Sequence, residues 1–184
     1  EALGLYEKYK RNLLGIITDA SFPVNKIVDP RAGVRFAKKI LAEKPDLPIL
    51  MQSSDEGAET MAGEIGIEFI SKNSPTLLRD LKMFLSTSFG FGDLVLKEQK
   101  AGSEIRIANV NQLFGALTDI PQDVLANALD RGVLDRWLRA RTEFALANAV
   151  ELFYAQAPRP ISVLGRKIKQ IIADFREASH RAGQ

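Results

Sequence analysis

Short apolar runs that end in a polar residue recur in the first part of the chain. The run at residues 13–18 leads to Asp19, the run at residues 47–52 leads to Ser53, and Phe69 opens a short segment that ends at Lys72. Such runs are typical of buried strands in a parallel sheet, and the residue after each strand faces the ligand crevice. We therefore expect Asp19, Ser53 and Lys72 to meet at one edge of a sheet.

The segments between these runs have helical spacing. The pattern predicts helices over residues 1–9, 32–42, 56–65 and 74–85, and strands over residues 13–18, 49–52 and 68–70. In the last helix we expect Ser74 to be the N-cap and Pro75 to occupy the first helical position. Alternating strands and helices require parallel pairing with right-handed crossovers, which predicts an α/β fold with three parallel strands.

A second unit is predicted to follow residues 86–92, where glycine and small polar residues interrupt the helical pattern. We expect a boundary that gives domains 1–88 and 89–184. Residues 93–97 and 104–108 alternate like a β-hairpin around Gly102. Helices are expected over residues 110–118, over 122–154 with a break at Gly132, and over 162–178 after a break at Pro158 and Pro160. This unit is predicted to be mostly helical α+β with one hairpin.

The composition narrows the function classes. The 184 residues are 46% hydrophobic and 26% charged, which is ordinary for a globular protein. The absence of cysteine excludes disulfides, thiolate metal sites and cysteine nucleophiles. No apolar stretch approaches the roughly 20 residues of a membrane span, so we expect a cytoplasmic protein without a membrane partner. Because the first residue is Glu1, we interpret the sequence as a fragment or a processed chain.

The basic residues become more frequent toward the C-terminus, but the net charge is only +2. We interpret them as a solvated helix face and expect no nucleic-acid partner. Trp137 and Phe144 lie seven residues apart, which predicts core or interdomain packing on one helix face. His180 is the only histidine and has no partners that indicate a role. The basic residues concerned are Arg131, Arg136, Arg139, Arg141, Arg166, Lys167 and Lys169.

A carboxylate, a hydroxyl and an ammonium at one sheet edge suit an aspartyl-phosphate site. The Asp19 carboxylate would attack phosphorus, while Ser53 and Lys72 would bind the phosphoryl oxygens. Each residue also has a plainer interpretation: Asp19 caps a turn, Ser53 ends a strand and Lys72 is a surface lysine. No phosphate-binding loop, paired histidines or nucleophile elbow is present, so we expect no self-contained catalytic activity and leave open whether a parent protein is an enzyme.

The spacing of these residues resembles that of the receiver domains of response regulators. Pro23 follows Asp19 by four residues, and Phe69 precedes Lys72 by three. The resemblance covers residues 1–88 and implies a partial flavodoxin-like fold, because residues 1–11 resemble the second receiver helix and the preceding strands are missing. It also implies phosphorelay signal transduction, with Asp19 as the phospho-acceptor and Phe69 as the aromatic switch.

The chain departs from the receiver pattern at three places. No acidic pair precedes Asp19, so a Mg²⁺ site is expected at Asp19 only if that pair is supplied. The loop over residues 23–33 is longer than in receivers, and we expect it to crowd or cover the phosphorylation edge. Asn73 stands where receivers carry proline, which leads us to expect a different aim for Lys72.

The second unit resembles the N-terminal region of a bacterial group related to phosphoenolpyruvate synthase. The residues that carry this resemblance are Phe91-Gly92-Asp93-Leu94-Val95 and Trp137-Leu138-Arg139-Ala140-Arg141-Thr142-Glu143-Phe144. Residues 50–55 and 71–78 also match that group. The group's Asn-His-Phe-Ser-like stretch is replaced by residues 131–135. The resemblance implies C-terminal catalytic domains in the parent chain as partners.

Two hypotheses follow for function, and a third is weaker. The first is a degenerate pseudo-receiver that acts as a regulatory or interaction module of a phosphoenolpyruvate synthase-related phosphotransferase. In this hypothesis a second copy of the chain is one expected partner, in a homodimer. The alternative is an active aspartyl-phosphate receiver that takes phosphate from a histidine kinase or a small phosphodonor when upstream acidic residues are present. The third is a DNA-binding response regulator, against which the low net charge argues.

Overall fold

The computed structural model describes residues 2–98, 102–156 and 163–182, and it divides into two compact units. Unit 1 spans Glu1–Phe89 and unit 2 spans Gly90–Gln184. The division falls one residue after the predicted boundary. Each unit has its own buried core, so each is described by itself.

Unit 1 is an α/β unit with a parallel three-stranded sheet in the order β1-β4-β5. The central strand β4 is covered on both faces, because neighbouring residues of this apolar strand point to opposite sides and both sides carry helices. Its residues Ile49, Leu50 and Met51 are all buried. The elements in chain order are α1 (Ala2–Tyr9), β1 (Ile16–Asp19), β2 (Phe22–Val24), β3 (Ile27–Asp29), α2 (Ala32–Glu43), β4 (Ile49–Ser53), α3 (Gly57–Glu64), β5 (Glu68–Ser71) and α4 (Leu77–Ser88).

The segment after β1 forms a second, smaller sheet that the hydrophobic pattern did not predict. β2 and β3 pair antiparallel, with Val24 opposite Ile27. Asn25 and Lys26 make the turn between them with φ values of 52° and 69°. Two-residue hairpins of the I′ type require positive φ at both positions, and asparagine is favoured at the first. The expected loop is therefore a β-hairpin.

The start of α4 differs from the prediction. The helix begins at Leu77 with Thr76 at the N-cap, so Ser74 and Pro75 precede it. Ser74 Oγ instead accepts a hydrogen bond from the Thr76 amide at 3.2 Å, and the Thr76 hydroxyl donates to Asp80 at 2.5 Å. That hydrogen bond is the main reason that the pKa of Asp80 is lowered. The local serine turn replaces the predicted cap because short hydroxyl side chains bond readily to nearby backbone.

Unit 2 combines the predicted β-hairpin with helices. β6 and β7 pair antiparallel, with Leu94 opposite Ile107. The described elements are β6 (Leu94–Lys97), β7 (Glu104–Ile107), α5 (Val110–Ala116), α6 (Gln122–Asp130), α7 (Val133–Arg139), α8 (Phe144–Gln156) and α9 (Leu164–Ala182). The predicted break at Pro158 and Pro160 and the predicted helix start at Ser162 lie outside the described residues.

The long helix predicted over residues 122–154 is three helices, which corrects the prediction. Gly132 separates α6 from α7 with a φ of 61°, where glycine has no steric penalty. Thr142 separates α7 from α8 with a φ of 62°, and a threonine gives no such signal in the sequence. The second break moves Trp137 and Phe144 onto different helices. Trp137 is buried in the core of unit 2, whereas Phe144 is exposed, so their predicted shared face does not exist.

Among the described residues, no helix is both long enough and apolar enough to cross a bilayer.

Candidate functional site

Asp19 and Lys72 meet at the carboxyl end of the parallel sheet of unit 1. Asp19 ends β1 and Lys72 follows β5, on either side of the central strand β4. The Lys72 Nζ lies 2.7 Å from Asp19 Oδ1, with 40% of the lysine and 50% of the aspartate side chain exposed. The pair is thus an ion pair that water and small solutes can reach.

Close packing of a helix start against β1 sets the position of Asp19. A Cβ on Gly33, near the start of α2, would lie 2.2 Å from the backbone oxygen of Asp19. The Gly33 amide donates to Ala20 O at 2.9 Å, and the Ala20 amide donates to Gln52 O at 3.0 Å. Only glycine allows the helix to approach the strand end this closely.

A backbone turn after β5 sets the position of Lys72. The Lys72 amide donates to Ser53 O at 2.8 Å, which continues the β4–β5 ladder by one residue. The Asn73 amide then donates to Ser71 Oγ at 3.2 Å. Asn73 in place of proline therefore does not turn Lys72 away from Asp19, and the expected change of aim is wrong.

Ser53 ends the central strand, between β1 and β5, and its side chain is buried. Its Oγ accepts a hydrogen bond from the Asp55 amide at 3.0 Å. A hydroxyl that accepts one hydrogen bond still has its own proton to donate. Ser53 thus sits at the predicted edge, bonded to Asp55.

Phe69 is partly buried on the face of the sheet covered by α3. It packs against a cluster that includes Met51, Ala58 and Ala62. The neighbouring β2–β3 hairpin leaves the Asp19 side chain half exposed. The segment that was expected to crowd or cover the edge therefore does not cover Asp19, because it folds back on itself as a hairpin.

The described residues place one carboxylate, that of Asp19, at the strand ends where a magnesium site is expected if an acidic pair is supplied. Magnesium needs near-octahedral oxygen coordination, usually with one or two carboxylates and several waters or phosphate oxygens. Asp19 is the carboxylate at the strand end, and it is paired to an ammonium. No group of three or more His, Asp or Glu side chains in the described parts of the chain is arranged to hold a metal ion.

An apolar groove of about 410 Å³ runs along β1. In the described residues β1 is an edge strand of its sheet, and Ile17 is 43% exposed. The amides of Ile16 and Ala20 donate toward β4, so the intervening amide of Ile17 faces away from it. The groove is lined by Ala2, Leu5, Tyr6, Tyr9, Leu13, Ile16, Ile17, Thr18, Asp19, Phe22 and Phe36.

A charged cluster lies at the α1 side of this groove. Lys10 Nζ is 2.7 Å from Glu43 and 2.8 Å from Glu7. The hydrogen bond from Lys10 lowers the pKa of Glu43, and the same bond raises the pKa of Lys10. Burial and the nearby Glu43 raise the pKa of the Tyr6 phenol. The Tyr6 phenol of the groove therefore lies beside a paired charge cluster.

The two arginines at the end of α7 do not form the predicted solvated face. Arg139 is buried and donates to Asp135 at 2.9 Å, to Asn148 at 2.9 Å and to Glu151 at 3.1 Å. The predicted location of Arg139 on a solvated helix face is therefore wrong. The spacing of Asp135 and Arg139, four residues apart on α7, is the sequence signal for the pair.

Arg141 binds backbone rather than carboxylates. Its guanidinium lies 3.9 Å from the Trp137 ring centre and donates to the carbonyl oxygens of Gly90 and Gly92, both at 2.9 Å. It also donates to Trp137 O at 3.1 Å and Ala108 O at 3.3 Å. Burial lowers the pKa of this guanidinium, and Asp93 acts in the opposite direction. We interpret Arg141 as a structural clasp within unit 2.

No family model, no curated protein and no solved structure matches this chain. The resemblance to receivers and to the phosphoenolpyruvate synthase-related group therefore depends on the sequence alone.

Proposed function

We propose that unit 1 is a receiver-like regulatory and interaction module, degenerate as a phospho-acceptor, that serves a cytoplasmic phosphotransferase related to phosphoenolpyruvate synthase. The observation that carries the proposal is the Asp19–Lys72 ion pair at the carboxyl end of a parallel sheet. The strand order β1-β4-β5 supports it, since flavodoxin-like sheets end in three parallel strands that follow one another in the chain.

The interaction part of the proposal depends on β1. An edge strand presents unpaired backbone groups to other chains, and β1 carries the exposed Ile17 beside an apolar groove. A second copy of this chain pairing through β1 is the partner that we propose, in a symmetric dimer. The catalytic domains of a parent chain would receive the regulatory signal.

The degenerate assignment follows from the donors around Asp19. The carboxylate is paired with Lys72 at 2.7 Å, and among the described residues no group of three or more His, Asp or Glu side chains is arranged to hold a divalent cation. A phosphoryl group approaching Asp19 would therefore meet a single cation, the Lys72 ammonium, at the sheet edge where Ser53 ends β4. In a receiver that works, the divalent cation neutralises the incoming phosphoryl oxygens.

The alternative function is an active receiver, and the half-exposed Asp19 carboxylate favours it. In that reaction an Asp19 oxygen bonds to the phosphorus of acetyl phosphate, the bond from phosphorus to the acetyl oxygen breaks, and acetate leaves. Lys72 would neutralise the phosphoryl oxygens. This function needs additional acidic residues to complete a cation site.

The test of the proposed function combines phosphorylation and self-association. We expect no mass increase when the chain is incubated with acetyl phosphate and magnesium, and a concentration-dependent dimer by light scattering. Ile17→Lys should weaken the dimer at least about tenfold, because it places a charge on the pairing edge. Ile27→Lys, on the exposed hairpin, is the matched control and should leave the dimer unchanged.

Two results would overturn this assignment. A gain of one phosphate that Asp19→Asn abolishes would replace the degenerate module with the active receiver. The alternative, an active receiver, is tested by the same incubation with acetyl phosphate and magnesium on a longer version of the chain that carries upstream acidic residues. A chain that stays monomeric at high concentration would remove the dimer through β1.

A further inference from the structure

Two cations of unit 2 share one aromatic ring. The Lys169 Nζ lies 4.9 Å from the centre of the Phe114 ring, and the Arg176 guanidinium carbon lies 4.6 Å from it. Lys169 and Arg176 are both on α9, seven residues apart, and Phe114 is on α5. Residues seven apart on a helix lie on the same face, so α9 presents both charges to α5.

The helix positions three and four residues away from each of these cations carry no negative charge. The positions three and four residues from Lys169 are glycine, arginine, isoleucine and alanine, and those around Arg176 are isoleucine, alanine, serine and histidine. Elsewhere on α9 a different pattern holds: Gln170 bonds Asp174, and Arg181 pairs with Glu177. Neither of these two contacts involves Lys169 or Arg176.

The opposing helix also supplies no carboxylate. α5 contains no Asp or Glu, and its polar contribution is Asn111, whose Oδ1 accepts a hydrogen bond from Arg176 Nη2 at 2.6 Å. Among the described residues, neither Lys169 nor Arg176 has a carboxylate partner. Both side chains are half-buried, which reduces the screening of their repulsion by water.

The free N–H donors of these two cations indicate what kind of ligand would bind. A guanidinium has five N–H donors and an ammonium three, and one of these is bonded to Asn111. The aromatic ring holds both cations in place before a ligand arrives, which reduces the ordering cost of binding.

We propose that Lys169, Arg176 and Asn111 form an anion-binding site that takes the phosphate group of a small ligand. Two cations that contact the same ring and have no carboxylate partner among the described residues suit a group that carries nearly two negative charges at neutral pH, and phosphate does so. Its oxygens accept several hydrogen bonds at once, which matches the fork of Arg176 and the ammonium of Lys169. This site lies within unit 2 and does not depend on the function proposed for unit 1.

The test is a titration of the full chain with inorganic phosphate at constant ionic strength, followed by the amide NMR shifts of Phe114 and Gly115. We expect saturable shifts, and we expect Lys169→Gln and Arg176→Gln each to weaken binding about tenfold, because each removes a charge-assisted hydrogen bond. Lys167→Gln is the matched control: it removes the same charge from an exposed position about 200° around the same helix. It should leave the affinity unchanged.

Several outcomes would contradict the proposal of a phosphate-binding site. Shifts that stay linear with phosphate concentration indicate no site, and equal weakening by Lys167→Gln indicates general attraction to a basic helix. Tighter binding of succinate than of phosphate would overturn the phosphate assignment. Asn111→Ala gives an independent check through α5, with weaker phosphate binding expected and an intact helical circular dichroism spectrum as its folding control.

Discussion

The Asp19–Lys72 pair of unit 1 and the Arg139 cluster of unit 2 differ in their exposure to solvent. In unit 1 the Asp19–Lys72 pair is half exposed at the end of a sheet. In unit 2 only 3% of Arg139 is exposed, and its guanidinium is bonded to two carboxylates and an amide. Exposed pairs contribute about 0 to 1 kcal/mol to folding, so Asp19 and Lys72 can exchange partners at low cost. Arg139 cannot, because its removal would leave several polar groups without their donor.

The largest effect is expected at Arg139. Arg139→Ala should lower the free energy of unfolding by about 2 to 4 kcal/mol, because Asp135, Asn148 and Glu151 lose a shared charged donor and the core loses the packed stem. Urea denaturation followed by circular dichroism measures it. Arg131→Ala, at an exposed position of the same unit, is the control and should change stability by less than about 0.5 kcal/mol. Equal effects of the two variants would contradict the comparison.

The next effect is expected at Arg141. Arg141→Lys keeps the charge but loses the planar fork that bonds the Gly90 and Gly92 carbonyl oxygens, and should cost about 1 to 2 kcal/mol. Trp137 is the single tryptophan of the chain and contacts this guanidinium. Its fluorescence should therefore move to longer wavelength as water reaches the ring. An unchanged emission spectrum would show that the clasp does not protect Trp137.

A smaller, pH-dependent effect is expected at Lys10 and Glu43. The pKa of Glu43 is lowered in the folded state, so the stability it contributes is present above the pKa of the unfolded chain and is lost as the pH falls through the folded pKa. The pKa of Lys10 is raised, so its contribution is lost only as the pH rises through that value. Lys10→Met should therefore raise the pKa of Glu43 and flatten the acid side of the stability curve.

NMR titration of the Glu43 carboxyl carbon and urea denaturation at several acidic pH values measure these two changes. Glu43→Gln should flatten the acid side in the same way, and the double variant should add nothing further. Additive losses would show that the two residues act separately.

The smallest effect on stability is expected at the candidate site. Lys72→Met should change the free energy of unfolding by less than about 1 kcal/mol, because the ion pair is half exposed and screened by solvent. Thermal or urea unfolding measures it, with Lys82→Met on α4 as a control for the loss of one lysine. A loss as large as that of Arg139→Ala would make the Asp19–Lys72 pair a structural element and remove the contrast between the units.

Much of unit 1 was predictable because local pattern and tertiary packing agree there. The apolar runs that lead to Asp19, Ser53 and Lys72 became parallel strands, and their carboxyl ends bring Asp19 to Lys72. The β2–β3 hairpin was missed because it has only three residues on each side. Its signal was the Asn25-Lys26 pair between β-branched residues, which favours a two-residue turn.

Unit 2 was less predictable because its breaks and burial are set by contacts distant in sequence. Helical spacing continues through Thr142, and only the fold shows that this residue adopts a positive φ. Charge alone predicted a solvated Arg139, whereas the structure supplies Asn148 and Glu151 from the next helix.

The sequence by itself determined the alternation of the three parallel strands with helices in unit 1, their pairing and the polar residues at the strand ends, because these depend on local periodicity and chain connectivity. Only the tertiary structure decided which charges are buried, how the segment after β1 folds, and that Lys169 and Arg176 share one ring. Those features depend on which side chains meet across elements, and local patterns contain no information about such distant contacts.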